Sequence, residues 1–209
     1  MFEDRADAGR KLGKKLLKYK KDNPVVLALP RGGVEVGYEV AKILKSSLEV
    51  LVVRKLGAPH NREFAIGAIT EDNVIFIDED TINSLNIPQK TLEDAIAIEK
   101  KELKRRVNYY RKGKKIKSLK NKTVIIVDDG LATGATAKAA IPYVKTKKTK
   151  KIVFATPVSA RDSLEKIKKM VDNTISVITT EYLSSISEYY RYFPQTQDVN
   201  VVILLDKSK

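Results

Sequence analysis

Asp128 and Asp129 stand side by side at the end of an apolar run, Val124-Ile125-Ile126-Val127. A stretch of small residues, Gly130-Leu131-Ala132-Thr133-Gly134-Ala135-Thr136, follows at once. A small-residue loop that opens into a helix presents backbone N–H groups and the positive helix end to an anion. Thr133 and Thr136 add hydroxyl donors, and Gly134 lets the backbone approach closely. The two acids would repel that anion, so they must face hydroxyl groups, a metal, or both. A sugar phosphate meets both demands, with its phosphate in the loop and its vicinal diol on the carboxylates.

A second segment, Pro30-Arg31-Gly32-Gly33, follows the apolar run Val25 to Leu29. A guanidinium and two glycines between a strand and a helix suit a second phosphate group. Two such loops on neighbouring strands, with acids between them, fit a sugar phosphorylated at both ends. Each segment also has a purely structural reading. Paired aspartates at a strand end serve as turns and helix caps. Arg31-Gly32-Gly33 reads equally as an ordinary turn, Lys55 as a solvated strand end, and His60, the single histidine, as a loop residue.

The elements that must carry these loops are legible as periodicity. Residues 3–22 place Leu12, Leu16 and Tyr19 at helical spacing, and Asn23-Pro24 ends the pattern. Residues 25–30 form a continuous apolar run of the kind a strand buried on both faces shows, and Val36, Val40 and Leu44 mark the next helix. Residues 48–55 read as a second strand, 56–63 as a loop, and 64–78 as a β-hairpin. Pro88 opens a long helix to about residue 112, with Leu92, Ile96, Leu103, Val107 and Tyr110 on one face. Strand 123–129, helix 134–144 with Pro142 inside it, strands 151–158 and 174–180 and a helix near 160–171 follow. The tail 198–205 fits a strand or a short helix capped by Asp198. Strands alternating with helices through short loops imply an α/β domain with a mostly parallel, Rossmann-like sheet and helices on both faces. No linker marks a second domain, so residues 1–209 read as one unit, with 79–122 a helical insertion.

Composition bounds the chemistry. The 209 residues are enough for a core of their own, and the 43% apolar content argues against disorder. Cysteine is absent, which removes disulfides and thiol nucleophiles, and one histidine cannot build a histidine-rich metal site. The apolar runs are too short to cross a bilayer and the N-terminal residues lack a signal-peptide core, so the expected location is the cytoplasm, away from membranes. Net charge is +14, and between Lys100 and Lys122 twelve Lys or Arg face one acid, Glu102, a net of +11. Such a block attracts polyanions or is simply a solvated helix face.

With those residues in view, the segment 124–136 resembles the signature of the type I phosphoribosyltransferases, which bind 5-phosphoribosyl-1-pyrophosphate (PRPP). "LALPRGG" is similar to their pyrophosphate loop and "VRKLGAPHNREFAIGA" to their mobile loop and hairpin. "AGRKL" and "YYRYFPQTQD" resemble a little-characterised bacterial and archaeal subgroup of the family. The resemblance implies transfer of the 5-phosphoribosyl group to a nucleobase, with pyrophosphate and a nucleoside monophosphate as products. It implies that Asp128 and Asp129 hold the ribose hydroxyls and that Gly130, Ala132, Thr133, Gly134, Ala135 and Thr136 wrap the 5-phosphate. Pro30, Arg31, Gly32 and Gly33 would hold pyrophosphate across a cis or strained Pro30–Arg31 peptide, with Lys55 and Arg54 reaching it from the next strand. Catalytic weight would fall on Asp128, Asp129, Lys55 and Arg31. A Mg2+ ion would bridge pyrophosphate and ribose through substrate oxygens and water, with no protein ligand assigned. The family further implies a homodimer, a mobile loop at 56–63 that closes over the site, and a hood over the base. Candidates for the hood are helix 88–112 and Tyr189, Tyr190, Tyr192 and Phe193. Ala132 stands where some 6-oxopurine enzymes of the family carry an acid, which argues against that subtype. Two rival readings are a PRPP-sensing regulator that binds nucleic acid through the basic block, and a kinase that makes PRPP. The kinase lacks a separate glycine-rich nucleotide loop with lysine.

Overall fold

β1 (Val25–Ala28) is apolar at every position and buried throughout. Alternate side chains leave a strand on opposite faces. Val26 and Ala28 join one apolar cluster with Leu12, Val40, Leu103 and Val201, while Val25 and Leu27 join another with Ala140, Ile141 and Ile167. Helices cover both faces accordingly: α1 (Arg5–Lys15) and α2 (Gly32–Leu44) the first, α5 (Ala135–Thr146) and α6 (Arg161–Lys168) the second. The computed structural model describes residues 1–59 and 61–208, without the side chains of 61–65 and 73. His60 lies outside the described residues.

Five parallel strands run in the order β2 (Ser47–Val50), β1, β6 (Thr123–Val127), β7 (Lys151–Ala160), β8 (Asn173–Thr180). The chain steps outward from β1 to β2, then returns to the other side of β1 and continues through β6, β7 and β8. The order therefore reverses between β1 and β6, where a parallel sheet opens a crevice beyond its carboxyl ends. Ala28 pairs with Val127, so the loops that begin at Pro30 and Asp128 start side by side. This is the α/β fold expected, with its sheet parallel and flanked by helices.

The segment expected as one strand over 48–55 is divided. Leu51 still donates its N–H to the Ala28 carbonyl at 3.1 Å, but Val52 donates to the Glu71 carboxylate at 3.2 Å, and the chain leaves the parallel sheet there. A three-stranded antiparallel sheet follows, β3 (Val53–Ala58), β4 (Asn61–Thr70) and β5 (Ile75–Ile77). The expected hairpin is its β4–β5 pair. The segment 56–63, expected as a loop for its glycine, proline and asparagine, is strand over 56–58 and from 61 onward. Register shifts on either side of Gly57 absorb the irregularity, and Pro59 is confined to the turn.

Helix α1 stops at Lys15 rather than continuing to residue 22. The chain tightens into a 3-10 turn over Leu17–Asp22 and ends on Asn23 in the left-handed region before Pro24. After α3 (Glu79–Ser84), the long helix α4 (Gln89–Arg111) packs against β3 and against α7 (Asp198–Lys207). The ambiguous tail is thus helical. Its cap is Gln197, in reciprocal hydrogen bonds with Asn200. Asp198 is not the cap because its carboxylate accepts from the Tyr110 hydroxyl at 2.6 Å and Arg105 at 3.3 Å. Among the described residues no helix is long and apolar enough to cross a membrane.

Glu71 and Arg111 form an ion pair with side chains 10% and 8% exposed. Burial pushes the Glu71 carboxyl above its usual range, and the guanidinium pulls against that rise. Together with the Val52 contact, the pair ties the strand corner to the end of α4. Removing one partner of a buried pair strands the other charge, at a cost of about 3–5 kcal/mol. Glu71→Ala should lower the unfolding free energy in urea by that amount. A loss near zero would show that the pair does not hold these elements together.

Candidate functional site

The two loops press on each other through glycine. A Cβ on Gly33 would lie 2.9 Å from the Val127 carbonyl oxygen, and one on Gly32 would lie 1.8 Å from Asp129 Oδ2. No side chain fits at either position, so the doublet after Arg31 is what lets the start of α2 meet the acid pair. The Pro30–Arg31 peptide is cis. Gly130 is buried against Ile186, whose Cγ2 would be 2.5 Å from a Cβ there.

Asp129 is engaged within the protein. Its Oδ2 accepts from Arg5 Nε at 2.8 Å, with side chains only 17% and 6% exposed. Arg5 also donates from Nη1 to the Pro194 carbonyl at 2.7 Å, and its guanidinium lies 3.7 Å from the Phe193 ring centroid. Tyr190 donates its hydroxyl to the Asp129 carbonyl at 2.7 Å and packs its ring 4.6 Å from that of Phe193. The tail aromatics Tyr190 and Phe193, considered for a base hood, therefore hold the acid pair; Tyr192 is exposed. Sequence reasoning missed Arg5, although a signal was there. Arg5, Ala8, Gly9 and Leu12 form one buried helical stripe, and a cation inside such a stripe needs an anionic partner. Helix α1 can bring Arg5 in because Gly9 and Gly13 let it close on α2: a Cβ on either would sit 2.7 Å from Val36 or Ile43 atoms.

Asp128 is half-buried, and its Oδ1 accepts the N–H of Asp129 at 2.9 Å. Burial, and then the neighbouring charge of Asp129, push its carboxyl well above the ordinary 3.8, while the Lys55 ammonium acts in the opposite direction. Lys55 itself is exposed on β3. One carboxylate is thus locked by an internal cation and the other is held near a lysine in an environment that disfavours its charge.

Beyond the acids, the small-residue loop is pinned to β7. Leu131 donates to the Val158 carbonyl at 2.8 Å and accepts from Ala160 at 2.9 Å, and the Ser163 hydroxyl donates to the Ala132 carbonyl. Gly134 sits at φ +77° and precedes α5 with no side-chain cap. The first helical bond runs from Lys138 N–H to the Gly134 carbonyl at 2.8 Å. The amides of Ala135, Thr136 and Ala137 therefore emerge at the helix end, which favours an anion. Thr133 is exposed and Thr136 half-buried.

A cleft of about 580 Å³ joins Pro30, Arg54, Lys55 and Thr136, with Arg106 and Thr91 of α4 across from them. It brings residues of both loops to the strand that carries the lysine. Two expected pyrophosphate contacts are engaged elsewhere. Arg31 Nη1 faces Asp198 at 3.8 Å, and Arg54 donates to Glu99 of α4 at 2.6 Å. Burial would raise the Asp198 carboxyl, but the Tyr110 hydroxyl with Arg105, Arg106 and Arg31 hold it below its usual range. Among the described residues, the acids of α4 and α7 thus neutralise Arg54 and Arg31 but not Lys55.

Comparison with known proteins bears on this constellation. A family model described as "Phosphoribosyl transferase domain" matches residues 2–192. Rv0571c of Mycobacterium tuberculosis, named as a candidate phosphoribosyl transferase, is 40% identical over 211 residues, an alignment spanning 100% of this chain and 47% of that protein. The chain thus spans about half the length of the curated relatives it matches. The crystal structure of TT1426 from Thermus thermophilus superposes with a TM-score of 0.84 at 34% identity, covering 99% of this chain and 98% of that one. A purine phosphoribosyltransferase from Pyrococcus horikoshii shares the fold at a TM-score of 0.50 and 20% identity, covering 91% and 87%.

Two predictions follow from the unequal states of the acids. Arg5→Ala leaves Asp129 uncompensated beside Asp128 and should cost about 3–5 kcal/mol of stability. Arg5→Lys should recover part of this, because lysine keeps the charge but loses the planar stacking on Phe193. Equal urea midpoints for Arg5→Ala and the unmodified chain would rule out the lock. For Asp128 the folded pKa lies above the unfolded one, so stability is lost as pH rises from about 3.8 to the raised value and changes no further above it. Asp128→Asn should therefore melt higher than the unmodified chain at pH 8. That gain should shrink as pH falls toward 3.8. A melting difference independent of pH would contradict the assignment.

Proposed function

The chain belongs to the phosphoribosyl transferase family, and on that premise we propose that it transfers the 5-phosphoribosyl group of PRPP to a ring nitrogen of a nucleobase. The observation that carries the reading is the meeting, at the switch point of a parallel sheet, of an uncapped helix end and an acid pair. The 5-phosphate sits on the amides of Ala135 and Thr136 with the hydroxyls of Thr133 and Thr136. The ribose hydroxyls donate to Asp128 and to the Asp129 oxygen that Arg5 leaves open. Pyrophosphate lies against Pro30 to Gly33, and Lys55 faces it from β3.

The base nitrogen bonds to the anomeric carbon as pyrophosphate leaves with the electron pair of the broken C–O bond. The proton of that nitrogen passes to water. Positive charge builds at the anomeric carbon on the way, and Asp128 stabilises it where it develops. Lys55, Arg54 and Arg31 neutralise the departing pyrophosphate, the two arginines by exchanging Glu99 and Asp198 for phosphate oxygens. The walls from β3 and α4 reduce access of water, which would otherwise hydrolyse PRPP.

The donor set suits the Mg2+ that such a substrate brings. No group of three or more acidic or histidine side chains able to cage a metal occurs among the described residues. Asp128, with one oxygen on the Asp129 amide, has the other to offer directly or through water. That is the arrangement a small hard cation takes when substrate phosphates are its main ligands. Bound there, Mg2+ would neutralise pyrophosphate as it leaves.

Incubating the protein with PRPP, Mg2+ and each nucleobase in turn should release pyrophosphate with at least one base. Asp128→Asn should cut turnover about a hundredfold, roughly 3 kcal/mol, with PRPP affinity largely kept. Thr133→Ala with Thr136→Ala should do the reverse and weaken PRPP in calorimetry more than it slows the chemical step. Turnover by Asp128→Asn at the unmodified rate would remove the ribose assignment and the reading with it.

A further inference from the structure

A second cavity, of about 890 Å³, lies at the free edge of the parallel sheet, against β2. It is lined by the start of β2 and the C-terminal ends of α2, α4 and α7, away from the carboxyl ends of the strands where the crevice opens. Helix α2 contributes Lys42 and its C-cap Lys45, α7 contributes Lys207, and the end of α4 with its following loop contributes Arg111, Lys112, Lys114, Lys115 and Lys117. Against these eight cations stand two acids, Glu49 and Asp206, so eight less two leaves +6. Asp206 lies 3.3 Å from Lys112 Nζ and Glu49 lies 3.9 Å from Lys117 Nζ. Burial pushes the Glu49 carboxyl up, which weakens its opposition to an anion.

Two features separate this place from a solvated basic face. It is concave, with a volume inside the roughly 300–1,000 Å³ of small-molecule sites. Two residues of its lining also hold polar atoms without a partner. The Arg111 side chain is 8% exposed and spends Nη2 on Glu71, while its Nε and Nη1 are buried without a partner. Ser46 Oγ, on the same lining, is likewise buried and unpartnered. Buried donors without acceptors cost free energy, and a small shift of these side chains toward the cavity would let an oxyanion offset it. A single anion can face only a few of the cations spread over α2, α4 and α7, whereas linked phosphates can span them.

We propose that this cavity is a second ligand site, selective for a compact polyphosphate, either free or as the triphosphate of a nucleotide. The test is amide NMR of the full chain at physiological salt, titrated separately with inorganic tripolyphosphate and with ATP. Saturable shifts are expected at Ser46, Ser47 and residues 112–117, apart from any at residues 130–136, which report the crevice. In Lys114→Gln/Lys115→Gln/Lys117→Gln the first set should need about tenfold more ligand or vanish, with the second set unchanged. Equal affinity for the two ligands would assign the site to the phosphates alone, and tighter ATP would add a contact to its nucleoside. The proposal fails if shifts are confined to residues 130–136, if the triple variant titrates like the unmodified chain, or if no saturation is reached by millimolar ligand. It also fails if a short RNA binds there with steep salt dependence while tripolyphosphate does not, since the basic face would then serve nucleic acid. None of these outcomes depends on turnover of PRPP.

Discussion

Arg5 reaches Asp129 across 124 residues of sequence and the carboxyl end of the sheet, and the geometry of the crevice rests on that contact. Two adjacent carboxylates in a partly buried loop repel each other, and neither could hold a fixed position unaided. The guanidinium compensates one of them and is itself fixed by the Phe193 ring and the Pro194 carbonyl. Arg191 donates its N–H to the Phe2 carbonyl at 2.9 Å, and the Phe2 and Tyr190 rings lie 5.2 Å apart. Segments from near both ends of the chain thus close around one aspartate. The other, Asp128, is the acid to which the proposed chemistry falls.

Charge around the crevice follows the same economy. Arg54, Arg31 and Arg106 each face an acid of α4 or α7: Glu99, Asp198 and Glu102. Arg105 and Arg106 draw the Glu102 carboxyl down to about 2. These pairs hold cations at the rim, and in the proposed reaction pyrophosphate would exchange with the acids, since phosphate oxygens take the same forked hydrogen bonds from guanidinium as carboxylates do. Among the described residues Lys55 has no such ion pair, and its charge acts on Asp128.

Much of this was legible in sequence where the signal was local. Strands β1 and β6 announce themselves as apolar runs, and the loops after them as glycine, threonine, arginine and paired acids. Contacts between distant segments were not legible. The division of residues 48–55 depends on a side chain at Glu71 capturing the N–H of Val52. The strand over 56–58 depends on pairing with β4, which overrides the loop-forming composition of that stretch. The pairing of Asp129 was not legible because its partner, Arg5, lies in helix α1, 124 residues away. The C-terminal helix was ambiguous because β-branched residues suit either element, and packing against α2 and α4 decided it.

The most direct test of the account is a crystal structure of the chain with PRPP and Mg2+. The account predicts the 5-phosphate on the amides of residues 134–137 and the ribose hydroxyls on Asp128. It also predicts pyrophosphate between Gly32 and Lys55, and Arg5 still bonded to Asp129. A phosphate bound away from the start of α5, or a ribose with no contact to Asp128, would contradict it.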